Sequence, residues 1–156
     1  MRLGLVILGF MLMFGIAACD VIGLLPAEEE TVFTGNGDAD VVFVRAVEQA
    51  ENTWTFHVTV EHPDTGWEDY ADGWDVLLPD GTVIHPDDSS DFTRLLLHPH
   101  ENEQPFTRSQ SGIQIPADVT QVRVRAHDIV DGFGGKEVVV DLSQASGTDF
   151  EVVRLQ

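Results

Sequence analysis

The sequence predicts an all-β protein: an immunoglobulin- or fibronectin-like β-sandwich of about eight strands that follows a signal peptide and a tether. Three observations predict it. From residue 41 onward apolar and polar residues alternate with period two. Clusters of Gly, Pro, Asp and Asn separate the alternating runs, as turns between strands require. No stretch beyond the N-terminus keeps a helical period.

Residues 1–18 have the three parts of an export signal. Met1-Arg2 is a short positive start, Leu3 to Phe14 is apolar or Gly, and Gly15-Ile16-Ala17-Ala18 is small and apolar. The apolar run is short for a membrane span, which needs about 20 residues. Ile16-Ala17-Ala18-Cys19 resembles the lipobox of bacterial lipoproteins, in which the Cys is diacylated and becomes the new N-terminus. Small residues before the thiol let lipid transfer and cleavage reach the backbone, and a sulfur nucleophile forms the thioether. Cys19 is the single Cys, so no intramolecular disulfide competes for it. Two or more acyl chains give stable attachment where one does not. The resemblance implies that Cys19 is the lipidation site. It also implies a protein on the cell membrane, lipid-anchored and facing the periplasm. Asp20, directly after the Cys, resembles the inner-membrane retention signal of enterobacterial lipoproteins and tilts the expectation that way.

Residues 19–40 read as the lipidated N-terminus and a tether. The segment contains Pro26, the run Glu28-Glu29-Glu30 and the turn-rich Thr34-Gly35-Asn36-Gly37-Asp38, with little periodicity. Asn36, Asp38 and Asp40 alternate as calcium-loop ligands can, but the closing bidentate Glu is missing, which favours a turn.

The sandwich is expected over residues 41–156. Val41 to Val47 is the first strand. Thr53 to Glu61 is the second, with Trp54, Phe56, Val58 and Val60 on one face and Thr55, His57, Thr59 and Glu61 on the other. Gly73 to Leu78 leads through the Pro79-Asp80-Gly81 turn into Thr82 to His85. Phe92 to His98, Phe106 to Ile115, Thr120 to His127 and Lys136 to Leu142 complete the set. With no Cys pair to pin the sheets, the core must rest on Trp54, Phe56, Trp74, Val122 and Val124. A small up-and-down barrel is the alternative architecture.

Charge narrows the function. Eight Lys and Arg stand against 27 Asp and Glu, a net charge of −19, which argues against nucleic acid and against docking on anionic headgroups. It suits a domain in a salty or exposed compartment, or one that attracts cations. Catalytic signatures are missing: no Gly-x-Ser-x-Gly, no phosphate-cradling Gly loop, no HExxH, and the one thiol is taken by the anchor. An enzyme is not expected.

Three groups could bind. His98 and His100 flank Pro99 and, on extended chain, project to one side. If every connection reverses direction, His127 ends a strand at the same end of the sandwich, and Glu103 and Asp128 lie nearby. This suggests a metal site of His98, His100, His127, Glu103 and Asp128, for Zn or Cu; no cofactor is otherwise required. The competing reading is a structural loop whose His residues bond to carboxylates and carbonyls. Strand parity places His62 and His85 at the opposite end. Second, Trp67 sits among carboxylates between Asp64 and Trp74, where it could stack on a ligand or serve as a lid over the sandwich edge. Third, Arg123 and Arg125 share one face of a strand and could hold an anionic ligand, or pair with the protein's own acids.

The stretch His98-Pro99-His100-Glu101-Asn102-Glu103-Gln104-Pro105-Phe106-Thr107-Arg108-Ser109, the strand Val122-Arg123-Val124-Arg125-Ala126-His127-Asp128 and the hairpin Gly132-Phe133-Gly134-Gly135-Lys136 together resemble a group of small exported bacterial proteins. That resemblance implies an exported domain and supplies no activity. The expected function is a lipid-anchored envelope binding or interaction module, accessory to a cell-envelope complex, with a membrane and a protein as partners. The alternative is a periplasmic divalent transition-metal protein using His98, His100 and His127.

Overall fold

The computed structural model describes residues 38–155. The signal peptide, Cys19, Asp20 and the tether as far as residue 37 lie outside the described residues. Ten strands follow in order: β1 (Asp40–Ala50), β2 (Thr53–Glu61), β3 (Ala71–Leu77), β4 (Arg94–Leu95), β5 (Phe106–Gln114), β6 (Gln121–Asp128), β7 (Gly132–Phe133), β8 (Val138–Asp141), β9 (Ser146–Gly147) and β10 (Phe150–Val153). They build two sheets, β5-β2-β1-β10-β9 and β4-β3-β6-β7, with β8 also paired to β6. No helix occurs among the described residues. Residues 38–155 are therefore the all-β sandwich that the alternation predicts.

Alternation decides which side chains meet between the sheets. Trp54, Phe56, Val58 and Val60 of β2 face Trp74 and Val76 of β3 and Val122, Val124 and Ala126 of β6 in one hydrophobic cluster, with Val44 and Ala46 of β1 beside them. All five residues expected to carry the core are buried. Full burial of side chains of this size is worth roughly 1.5–3 kcal/mol each relative to exposure. The β1–β2 hairpin turns at Asn52, whose φ of 60° lies in the left-handed region that Asn enters more readily than most residues.

Three features depart from the expected strands. Thr82 to His85 is not a strand of its own. Leu77 bridges Val83, and the Ile84 amide donates to the Val76 carbonyl, so this stretch lies antiparallel to β3 just as β4 does. The two share one lane along β3, with the loop 85–93 between them, and the chain reverses once fewer than a strand count implies. Second, the C-terminal β10 was not anticipated. It pairs in parallel with β1, with Val44 opposite Phe150 and Val47 opposite Val153. Third, the sandwich begins before residue 41. Ala39 is buried, and the Asp40 carboxylate accepts the Lys136 amide.

Candidate functional site

Two inward rows of the core end in a polar residue at the same end of the sandwich. The row of β2 runs Trp54, Phe56, Val58, Val60 and, by the same parity, His62. The row of β6 runs Val122, Val124, Ala126 and Asp128. His62 is 2% exposed and Asp128 1%, so both sit where the apolar core stops. Asp38, just ahead of β1, closes the group: one donor atom each from Asp38, His62 and Asp128 lie within 4.8 Å of one another.

Asp64 organises this end. Its Oδ1 accepts the Nδ1–H of His62 at 2.6 Å and the Ala71 amide at 3.1 Å, and its Oδ2 accepts the His100 amide at 2.6 Å. Its side chain has no exposure. A carboxylate can only accept, so the tautomer of His62 is assigned with the proton on Nδ1. Nε2 then faces Asp38 Oδ1 at 2.9 Å, with Asp69 Oδ1 at 3.7 Å. Asp128 Oδ1 accepts the Val130 and Asp131 amides at 2.9 and 2.6 Å, while its buried Oδ2 has no hydrogen-bond partner.

His62 and His100 thus share one end, joined through Asp64, and a further bond runs from the His62 amide to Gln104 Oε1 at 3.0 Å. This corrects the parity expectation, which put His62 opposite His98. Counting residues 82–85 as a full reversing strand inverted the ends.

His98, His100 and His127 do not form a close donor group of the kind that Asp38, His62 and Asp128 form. Alternation separates His127 from Asp128: Asp128 points inward, whereas His127 follows Arg123 and Arg125 on the outer face. There His127 Nδ1 lies 2.6 Å from Asp72 Oδ1, and its ring packs between Phe92 and Phe133. His98 is exposed, with Nδ1 3.0 Å from the Pro99 carbonyl. The His100 ring stacks on Phe106 at 3.8 Å, and neither ring nitrogen has a partner. Burial holds His100 below the usual His pKa, helped by Arg108 and His98 and opposed by Asp64 and Glu103. A small hollow beside it is lined by Arg94, Leu96, His98, His100 and Arg108. Glu103 pairs with Arg108 at 2.9 Å, which keeps its carboxyl below the ordinary range.

The outer-face arginines meet the protein's own acids. Arg125 donates to Asp75 Oδ2 from Nε and Nη2, at 3.2 and 3.0 Å, and lies 3.6 Å over the Phe133 ring. Arg123 Nε lies 2.9 Å from Glu137, an ion pair without the alignment of a hydrogen bond. Burial raises the Glu137 carboxyl despite the pull of Arg123 and Arg125. Trp67 is 66% exposed and meets Tyr70 edge-on at 5.9 Å, so it is not a lid over the sandwich.

No family model and no solved structure matches the chain. Over 114 residues it is 38% identical to a protein of Halomicrobium mukohataei named "Putative lipoprotein". That alignment takes in 73% of the chain, too much to fit without covering most of the sandwich. The chain spans about half the length, 52%, of this relative. The sandwich is therefore similar to part of a protein named as a lipoprotein.

Proposed function

We propose that the chain is an exported lipoprotein, anchored through Cys19, whose sandwich acts as a binding module for another component of the cell envelope. The likeness to a protein named as a lipoprotein carries the reading. It agrees with Ile16-Ala17-Ala18-Cys19 at the end of an apolar N-terminus. The sandwich would stand on the exported side of the membrane, which is the periplasm in a cell with two membranes, and Asp20 favours the inner one there. Binding is preferred to catalysis because the sequence carries no catalytic motif; Ser109 Oγ and His57 Nδ1 lie 2.7 Å apart on an exposed face, but among the described residues no carboxylate orients that imidazole.

The test is Cys19→Ser, followed by membrane fractionation and labelling with a radioactive lipid precursor. Wild type should take up label and sediment with membranes. The variant should take up none and accumulate as unprocessed precursor. Label retained in Cys19→Ser would overturn the anchor. Cross-linking of the wild-type protein on intact cells should capture a defined envelope partner; a chain that stays uncross-linked would overturn the module reading.

A further inference from the structure

The geometry points to a divalent transition-metal site of the Zn(II) class at the end of the core, with His62 Nε2, Asp38 and Asp128 as ligands and Asp69 as a fourth within reach. It is a different site from the His98, His100 and His127 set, and it does not depend on the lipid anchor.

Two observations carry it independently. The first is the setting of His62 Nε2. With the Nδ1 proton committed to Asp64, Nε2 lies 2.9 Å from an Asp38 oxygen and 3.7 Å from an Asp69 oxygen. Two acceptors at 2.9 Å need a cation between them, and a metal ion, unlike a proton on Nε2, would engage Asp128 as well. A carboxylate behind the far nitrogen of an imidazole is the arrangement that orients metal-binding histidines and raises their basicity. Asp64 is held in that role by two backbone amides.

The second observation is Asp128 Oδ2. It is buried, in a residue 1% exposed, and it lacks any partner although its sister oxygen holds two amides. A buried carboxylate oxygen left bare is costly, and a cation removes the cost. Asp128 and His62 come from different sheets, so an ion here would tie the sheets together where the core ends.

The donor set selects the ion. One imidazole with carboxylates suits Zn(II) and disfavours Cu(I), which prefers sulfur. Calcium prefers a shell of oxygens and would gain little from His62. Access is through Asp38, whose side chain is 58% exposed.

The experiment uses the full chain, extracted in detergent, purified without a His tag and stripped with chelator. Zn(II), Mn(II) and Ca(II) are titrated separately by calorimetry, and each ion is tested in thermal melts. The expected result is one Zn(II) per chain, with a raised melting temperature that chelator reverses. Asp38→Asn, Asp128→Asn and His62→Gln should each weaken Zn(II) binding tenfold or more (about 1.4 kcal/mol). His98→Ala and His127→Ala should bind as wild type does. Asp38→Asn guards against misfolding: it removes an uncompensated carboxylate beside His62 Nε2, so its metal-free melt should be no lower than wild type's while its response to Zn(II) is lost. Cobalt should give a visible d–d band that His62→Gln shifts. Absence of stoichiometric binding by wild type would overturn the site. So would equal losses from His98→Ala and His62→Gln, or calcium binding indifferent to His62→Gln.

Discussion

Asp75 and Arg125 face each other across β3 and β6, with both guanidinium donors of the pair ending on Asp75 Oδ2. Asp75 is 2% exposed, and its other oxygen accepts the Thr93 amide at 3.2 Å. Thr93 in turn accepts the Val76 amide and donates to the Ile84 carbonyl. One carboxylate therefore holds the edge lane of residues 82–95 against the central strand. Asp75→Ala should cost about 3 kcal/mol in denaturant melts, since it removes a buried charge pair and orphans the Thr93 amide. Arg125→Met should cost a similar amount by stranding Asp75. The double variant should lose less than the two single losses combined.

His100 supplies a pH dependence with a definite sign. Its folded-state pKa lies below the unfolded value, chiefly through burial. The unfolded chain therefore binds the proton more readily. The stability from neutral His100 is complete above the unfolded value of about 6.5 and is lost as pH falls through the lower folded value. His100→Phe keeps the stack on Phe106 and the backbone bond to Asp64. Its melting temperature should fall less than that of wild type between pH 7 and pH 5. At pH 7 it should be more stable by about 1 kcal/mol, because two bare ring nitrogens disappear. An unchanged acid slope in His100→Phe would assign the acid sensitivity elsewhere.

Gly135 is fixed by close approach. A Cβ there would lie 2.2 Å from the Ala39 carbonyl oxygen, a backbone atom that cannot swing aside. Gly135→Ala should destabilise by about 2 kcal/mol by forcing the start of β1 from the hairpin. Hydrogen exchange should register the loss first at the Val41 amide, which donates to the Lys136 carbonyl.

Loss of the C-terminus should be severe. A chain ending at residue 145 lacks β9 and β10, and with them Phe150 and Val152 from the core. It also exposes the hydrogen-bonding edge of β1, an invitation to intermolecular pairing. Such a chain should fail to melt cooperatively and should aggregate, as read by light scattering.

The sandwich was legible because alternation is a local signal, and the rows through Trp54, Phe56 and Val58 and through Val122 and Val124 could be read directly. Strand β10 was less so: Phe150-Glu151-Val152-Val153 alternates, but four residues at a chain end carry little periodic signal. Strand parity misplaces the end that holds His62 for a global reason. Thr82-Val83-Ile84 has strand composition, and nothing local reveals that it shares a lane with Arg94-Leu95 instead of reversing the chain. One reversal too many sent His62 to the wrong end. The better signal was the parity of the rows themselves, which runs unbroken from Val60 to His62 and from Ala126 to Asp128. Asp38 belongs to the alternating Asn36, Asp38 and Asp40, but that local spacing, which reads as a turn, does not show that the chain folds Asp38 against His62 and Asp128.

The parallel pairing of β1 with β10 sets the order of events for a newly made chain. The first strand to emerge needs the last one as a neighbour, across more than a hundred residues of Asp40-to-Val153 separation. For a chain made N-terminus first, β1 therefore lacks its second neighbour until residues 150–153 are free, and the first sheet is completed only after the second has all its strands.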